Sequence, residues 1–78
     1  MTTLQIAQTV DARGLSCPMP IVKTAQAAKA LAPGDLLEVL ATDPGSTRDL
    51  AAWCRTTGNE LVDATSDGAI YRFLVRRK

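Results

Sequence analysis

Apolar residues recur along this chain at two periods, and turn residues cut it into six pieces. Residues 4–10 alternate, with Leu4, Ile6 and Val10 on one side, which predicts a strand. Over 18–32, Ile21, Ala25, Ala28 and Leu31 with Ala32 form one stripe at helical spacing, while Lys23, Gln26 and Lys29 fall elsewhere. Pro33-Gly34-Asp35 stops that helix. Residues 36–42 form a short, mostly apolar run between turns, the pattern of a largely buried strand. Ser46-Thr47-Arg48-Asp49 has the form of a capping box, with Ser46 as N-cap, and Leu50, Trp53, Cys54 and Thr57 follow at helical spacing. Gly58 is the expected C-terminal stop. Residues 60–65 read as a strand. Ser66-Asp67-Gly68 reads as a tight turn into residues 70–76, where Tyr71, Phe73 and Val75 alternate with Ile70, Arg72, Leu74 and Arg76. The order β-α-β-α-β-β predicts an α/β (α+β) two-layer sandwich: a four-stranded mixed sheet with both helices on one face and a polar open face. Residues 1–78 are expected to form a single domain.

Composition narrows the chemistry. The chain has 78 residues, of which 46% are hydrophobic, so a small globular core is expected. The net charge is +1, which writes no strong pull toward a polyanion or a membrane into the sequence. There is no histidine. That excludes Ser-His-Asp and Cys-His catalysis, histidine-ligated zinc and a histidine proton switch. Two cysteines cannot complete a four-ligand structural zinc site within one chain. No cofactor is expected. The first ten residues lack the basic and apolar regions of a signal peptide, and no run approaches a membrane span, so a cytoplasmic protein with free thiols is expected.

The candidate chemistry lies in Asp11-Ala12-Arg13-Gly14-Leu15-Ser16-Cys17-Pro18-Met19-Pro20, between the first strand and the first helix. A residue before proline is biased away from helical angles, so Cys17 is expected at the helix N-cap, with Pro18 at the first helical position and Pro20 at the third. There the thiol would face the positive end of the helix dipole, which favours thiolate. Of the first backbone N–H groups, those of Pro18 and Pro20 are missing, while Met19 and Ile21 keep theirs. Arg13 would add a positive charge if the loop folds back, and Gly14 would allow a turn with φ > 0. Asp11 reads as a turn or capping residue rather than an acid catalyst. An exposed thiolate without a base can still accept a sulfur atom and pass it on by thiol exchange. Cys54, inside an apolar stripe, reads as a small buried hydrophobe. Tyr71 and Phe73 read as core.

These residues resemble the TusA/SirA family of small sulfur carriers. The run from Asp11 to Pro20 fits its D-x-x-G-x-x-C-P-x-P signature at every fixed position. The likeness continues through Pro33-Gly34-Asp35, Asp43-Pro44-Gly45-Ser46 with Asp49, Trp53-Cys54, Glu60-Leu61 and 71–76. Many members carry a histidine where Asn59 stands. The resemblance implies a persulfide on Cys17, with Asp11, Gly14, Pro18 and Pro20 as motif framework. It implies a cysteine desulfurase or rhodanese-like protein as sulfur donor. It implies a sulfur relay acceptor in tRNA thiolation, molybdenum-cofactor synthesis or sulfur oxidation. Two other readings compete. One is a nucleic-acid-binding or regulatory module using Arg72, Arg76, Arg77 and Lys78, against which the near-neutral charge argues. The other is a redox switch pairing Cys17 with Cys54, whose spacing is not C-x-x-C. A monomer is the default expectation.

Overall fold

The computed structural model describes residues 5–78. Its elements run β1 (Ile6–Ala12), α1 (Met19–Lys29), β2 (Leu36–Ala41), α2 (Ser46–Thr57), β3 (Glu60–Asp67) and β4 (Ile70–Arg76). They form one mixed sheet in the order β1-β2-β4-β3. β1 and β2 run parallel, and β4 lies antiparallel to both β2 and β3. α1 packs on β1 and β2, α2 packs on β3 and β4, and the two helices touch each other. This is the expected α+β sandwich.

One core lies between sheet and helices. Val10, Ala12, Leu37, Val39, Ala41, Phe73 and Val75 meet Ala27, Leu50 and Cys54 there, with Trp53, Tyr71 and Leu61 packed at the margin. The small residues Ala12 and Ala41, both 0% exposed, are register partners at the ends of the parallel pair. They let the loops leaving both strands sit close to the helices.

Several boundaries and faces differ from the sequence reading. β1 continues through Asp11 and Ala12, which pair with Leu40 and Ala41, so two residues of the motif belong to the strand. Leu4 lies outside the described residues. The buried stripe of α1 is Pro20, Thr24, Ala27 and Ala28, displaced from the expected Ile21-Ala25-Ala28-Leu31. Alanines look alike on either side of a helix, and the Thr24 hydroxyl can be buried because it donates to the Pro20 carbonyl at 2.7 Å. The β3–β4 turn is Gly68-Ala69, one step later than predicted, with Asp67 facing Ile70. Gly68 has φ +64 and no other residue of that turn is left-handed, the arrangement of a type II′ hairpin.

The capping box does not form. Gly45 is the N-cap of α2, Ser46 is the first helical residue, and its hydroxyl is buried without a partner. Asp43 closes the turn instead: its carbonyl accepts from Ser46 N at 2.9 Å and its Oδ1 from Gly45 N at 3.3 Å. The open face of the sheet is not uniformly polar. Glu38 accepts from Thr9 at 2.9 Å and pairs with Arg72, but Leu36 and Leu74 are buried beside them. Arg72 and Arg76 stand opposite Leu40 and Leu36 on that face.

Candidate functional site

The parallel β1–β2 pair delivers two strand-to-helix loops to the same end of the sheet. The register Ala12↔Ala41 sets the loop carrying Arg13 to Pro18 beside the loop carrying Thr42 to Gly45. Two side chains stitch the loops together. The Thr42 hydroxyl accepts from Gly14 N at 2.8 Å, and Asp43 Oδ2 accepts from Cys17 N at 3.0 Å. Gly14 has φ +80, as its place in the turn required.

Cys17 is exposed. Its position differs from the expected cap. Pro18 occupies the N-cap (φ −98°, ψ 11°), α1 begins at Met19, Pro20 is the second helical residue, and the Cys17–Pro18 peptide is cis. The Pro18 carbonyl starts the helix by accepting from Ile21 N and Val22 N, both at 3.1 Å. Cys17 therefore lies one residue before the N-cap of α1. Met19 N donates to Ser16 O at 2.9 Å. The two N–H groups that the prolines leave, on Met19 and Ile21, thus serve backbone carbonyls. The thiol therefore does not occupy the N-cap that the sequence reading expected for it.

Arg13 is engaged elsewhere. Its Nε donates to Asp11 Oδ1 at 2.8 Å, its Nη2 to Asp11 Oδ2 at 3.0 Å and its backbone N to Asp11 Oδ1 at 3.1 Å. This fork on a carboxylate holds the Asp11 carboxyl down to about 2, through the side-chain hydrogen bond first and the backbone one second. Asp11 thus shapes the turn and retains the guanidinium. The charges that act on the sulfur are negative. The Cys17 thiol is pushed above its ordinary range, first by the neighbouring Asp49 carboxylate, then by desolvation, then by the charges of Asp49 and Asp43. Asp43 and Asp49 converge from the start of α2: their carboxylate oxygens lie 3.7–3.9 Å from the position a Cβ on Gly45 would take.

Asp43, Asp49 and Thr42 were missed as site residues. The signal was available: successive parallel strands place their βα loops at one end of a sheet, so the Asp43–Asp49 segment had to face the cysteine loop. Beside Cys17, α1 leaves Met19 and Val22 exposed, at 43% and 38%. They are three residues apart and share a helix face.

Cys54 behaves as the sequence suggested. It is 3% exposed within the core, and burial pushes its thiol up. Both cysteines are free, and a bridge to Cys17 would require Cys54 to leave the core. The basic residues near the C-terminus are partly engaged. Arg72 pairs with Glu38, and Arg77 Nε donates to the Ala28 carbonyl at 2.8 Å. Among the described residues, no helix is long and apolar enough to cross a membrane.

The molecule is thus a small α+β domain that presents one exposed thiol where two β-to-α loops meet. A solved structure of a SirA-like protein from Desulfitobacterium hafniense has the same fold, with TM-score 0.77 and 22% identity, over 88% of this chain and 95% of that one. The family model described as Sulfurtransferase TusA matches residues 8–77. The sulfur carrier protein TusA of Allochromatium vinosum is 41% identical over 70 residues, 90% of this chain and 92% of that protein. YrkF of Bacillus subtilis is 50% identical over 68 residues, 87% of this chain but 37% of YrkF. The chain belongs to the TusA family of sulfur carriers, as its motif suggested.

Proposed function

We propose that this protein accepts sulfane sulfur on Cys17, carries it as a persulfide and relays it to an acceptor protein. The observation that carries this reading is the exposed thiol of Cys17, held by its own backbone N–H on Asp43 and bordered by exposed apolar Met19 and Val22. In loading, the Cys17 thiolate attacks the outer sulfur of a donor persulfide. A new S–S bond forms on Cys17, the donor's S–S bond breaks, and the donor leaves as a thiolate. In delivery an acceptor thiolate attacks the same outer sulfur and Cys17 is released. No net oxidation occurs, and the exchange needs no cofactor or enclosed cleft. The exposed, loop-borne thiol suits a partner that brings its own active site, with a cysteine desulfurase or rhodanese-like protein as donor. A relay protein of tRNA thiolation, molybdenum-cofactor synthesis or sulfur oxidation fits as acceptor, in the cytoplasm. The motif framework of Asp11, Gly14, Pro18 and Pro20 serves to hold the loop. In this reading the protein is a co-substrate of sulfurtransferases.

Incubation with a cysteine desulfurase and cysteine is expected to add one sulfur atom to the intact mass. A Cys17→Ser variant is expected to stay unmodified and Cys54→Ser to load normally. Equal loading of Cys17→Ser would reject the proposal. Cargo bearing three further oxygen atoms after exposure to a thiosulfate-handling donor would identify a thiosulfonate form.

A further inference from the structure

The acidic groups around Cys17 are unexpected for a nucleophile, and they bear on what happens after loading. The backbone of Cys17 is tied to Asp43, and the carboxylates of Asp43 and Asp49 converge beside Gly45, while Arg13, the cation of its own loop, is held by Asp11. We propose that Asp49, with Asp43 beside it, holds the cargo on Cys17, because release leaves a thiolate there, a third negative charge next to two carboxylates. The inference rests on the persulfide reading above. In the loaded state the anionic charge resides on the outer sulfur, one bond further from the carboxylates. When a nucleophile bonds to that outer sulfur, the S–S bond breaks and its electron pair passes to Cys17 Sγ. Charge then moves inward, toward Asp49. Electrostatics opposes that movement and does not oppose carriage.

Exchange chemistry gives the same direction. A thiolate of higher pKa is the poorer leaving group, and near neutral pH less of the thiol is ionised to attack. The upward shift imposed on Cys17 therefore slows loss of the cargo once it is loaded. Asp49 acts through Cys17 and is a positioning residue, not a group that bonds to sulfur. Asp43 contributes charge but also ties the backbone of Cys17, so Asp49 is the cleaner residue to change.

The test loads the full chain with inorganic polysulfide and follows thiocyanate production on adding cyanide, for the unmodified protein, Asp49→Asn and Asp49→Glu. Asp49→Asn should release its sulfur at least about threefold faster, because a more acidic Cys17 thiol is the better leaving group. Asp49→Glu should restore slow release. In parallel, alkylation of the unloaded proteins by neutral iodoacetamide across pH should show a lower midpoint in Asp49→Asn, a readout free of repulsion between cyanide and the carboxylates. Equal release from Asp49→Asn and the unmodified protein, or an unshifted alkylation midpoint, would overturn the inference. Failure to load at all would count against the carrier reading instead, and the alkylation measurement would still decide the role of Asp49.

Discussion

At the scale of single residues, the site is governed by which charges are already engaged. Arg13 looks from the sequence like a cation available to Cys17, but a carboxylate two residues away captures it in a forked contact. Asp11 therefore titrates near 2. Because its pKa is lowered on folding, the pair's contribution to stability is present above the ordinary carboxylate range and is lost as pH falls through that value. NMR titration of the Asp11 carboxyl should give a midpoint of about 2 in the intact protein. In Arg13→Met it should rise toward ~3.9, the value of an unperturbed aspartate. A midpoint unmoved by the substitution would mean that the fork is absent in solution. The exposure of Cys17 was legible in the sequence, because a cysteine in a polar strand-to-helix turn between prolines is badly placed to join a core. Its electrostatic setting was not, since Asp49 reaches it only through the tertiary fold.

Elements were read correctly in kind and order, and the errors cluster at their ends. Boundary errors arose where one residue type serves two structures. Asp11 and Ala12 suit a loop motif as well as a strand end, and only the pairing with Leu40 and Ala41 decides between them. Ser46 and Asp49 match the capping-box pattern, but Asp43 closes the turn first and moves the cap to Gly45. The two readings of Ser46 predict opposite outcomes. Loss of a true N-cap costs about 1 kcal/mol. Removal of a buried hydroxyl that has no partner, in a helix where alanine is favoured, should be neutral or stabilising by up to about 1 kcal/mol. Urea denaturation of Ser46→Ala is expected to give the latter, and a loss near 1 kcal/mol would return Ser46 to the capping role. Gly58 shows the case where sequence and structure agree. It ends α2 with φ +80, and its N–H donates to Cys54 O at 2.9 Å.

For the whole molecule, stability rests on one thin core beneath two helices. Phe73, Leu37, Leu50, Val39 and Val75 are its largest fully buried apolar side chains. Phe73 is 1% exposed on β4, the strand bonded on both sides, so truncating it should cost about 3–5 kcal/mol. A core of this size supplies only a few kcal/mol net, so Phe73→Ala should be largely unfolded by circular dichroism at 25 °C. A cooperative transition near that of the unmodified protein would contradict this packing. The layer order was legible because helical and strand periods alternate cleanly along the chain. The apolar component of the open sheet face was not, because Leu36 and Leu74 gain their cover from neighbouring strands. The same topology makes the site, since only a parallel β1–β2 pair brings Cys17 and the start of α2 to one end of the sheet.

The central claim is that the cargo rides on Cys17, and trypsin offers a direct reading of it. Cleavage after Arg13, Lys23, Arg48 and Arg55 puts Cys17 in peptide 14–23 and Cys54 in peptide 49–55. After loading by a desulfurase and digestion under non-reducing, alkylating conditions, the added sulfur should appear on peptide 14–23 and disappear when an acceptor thiol is supplied. Sulfur found on peptide 49–55, or on neither, would contradict the account.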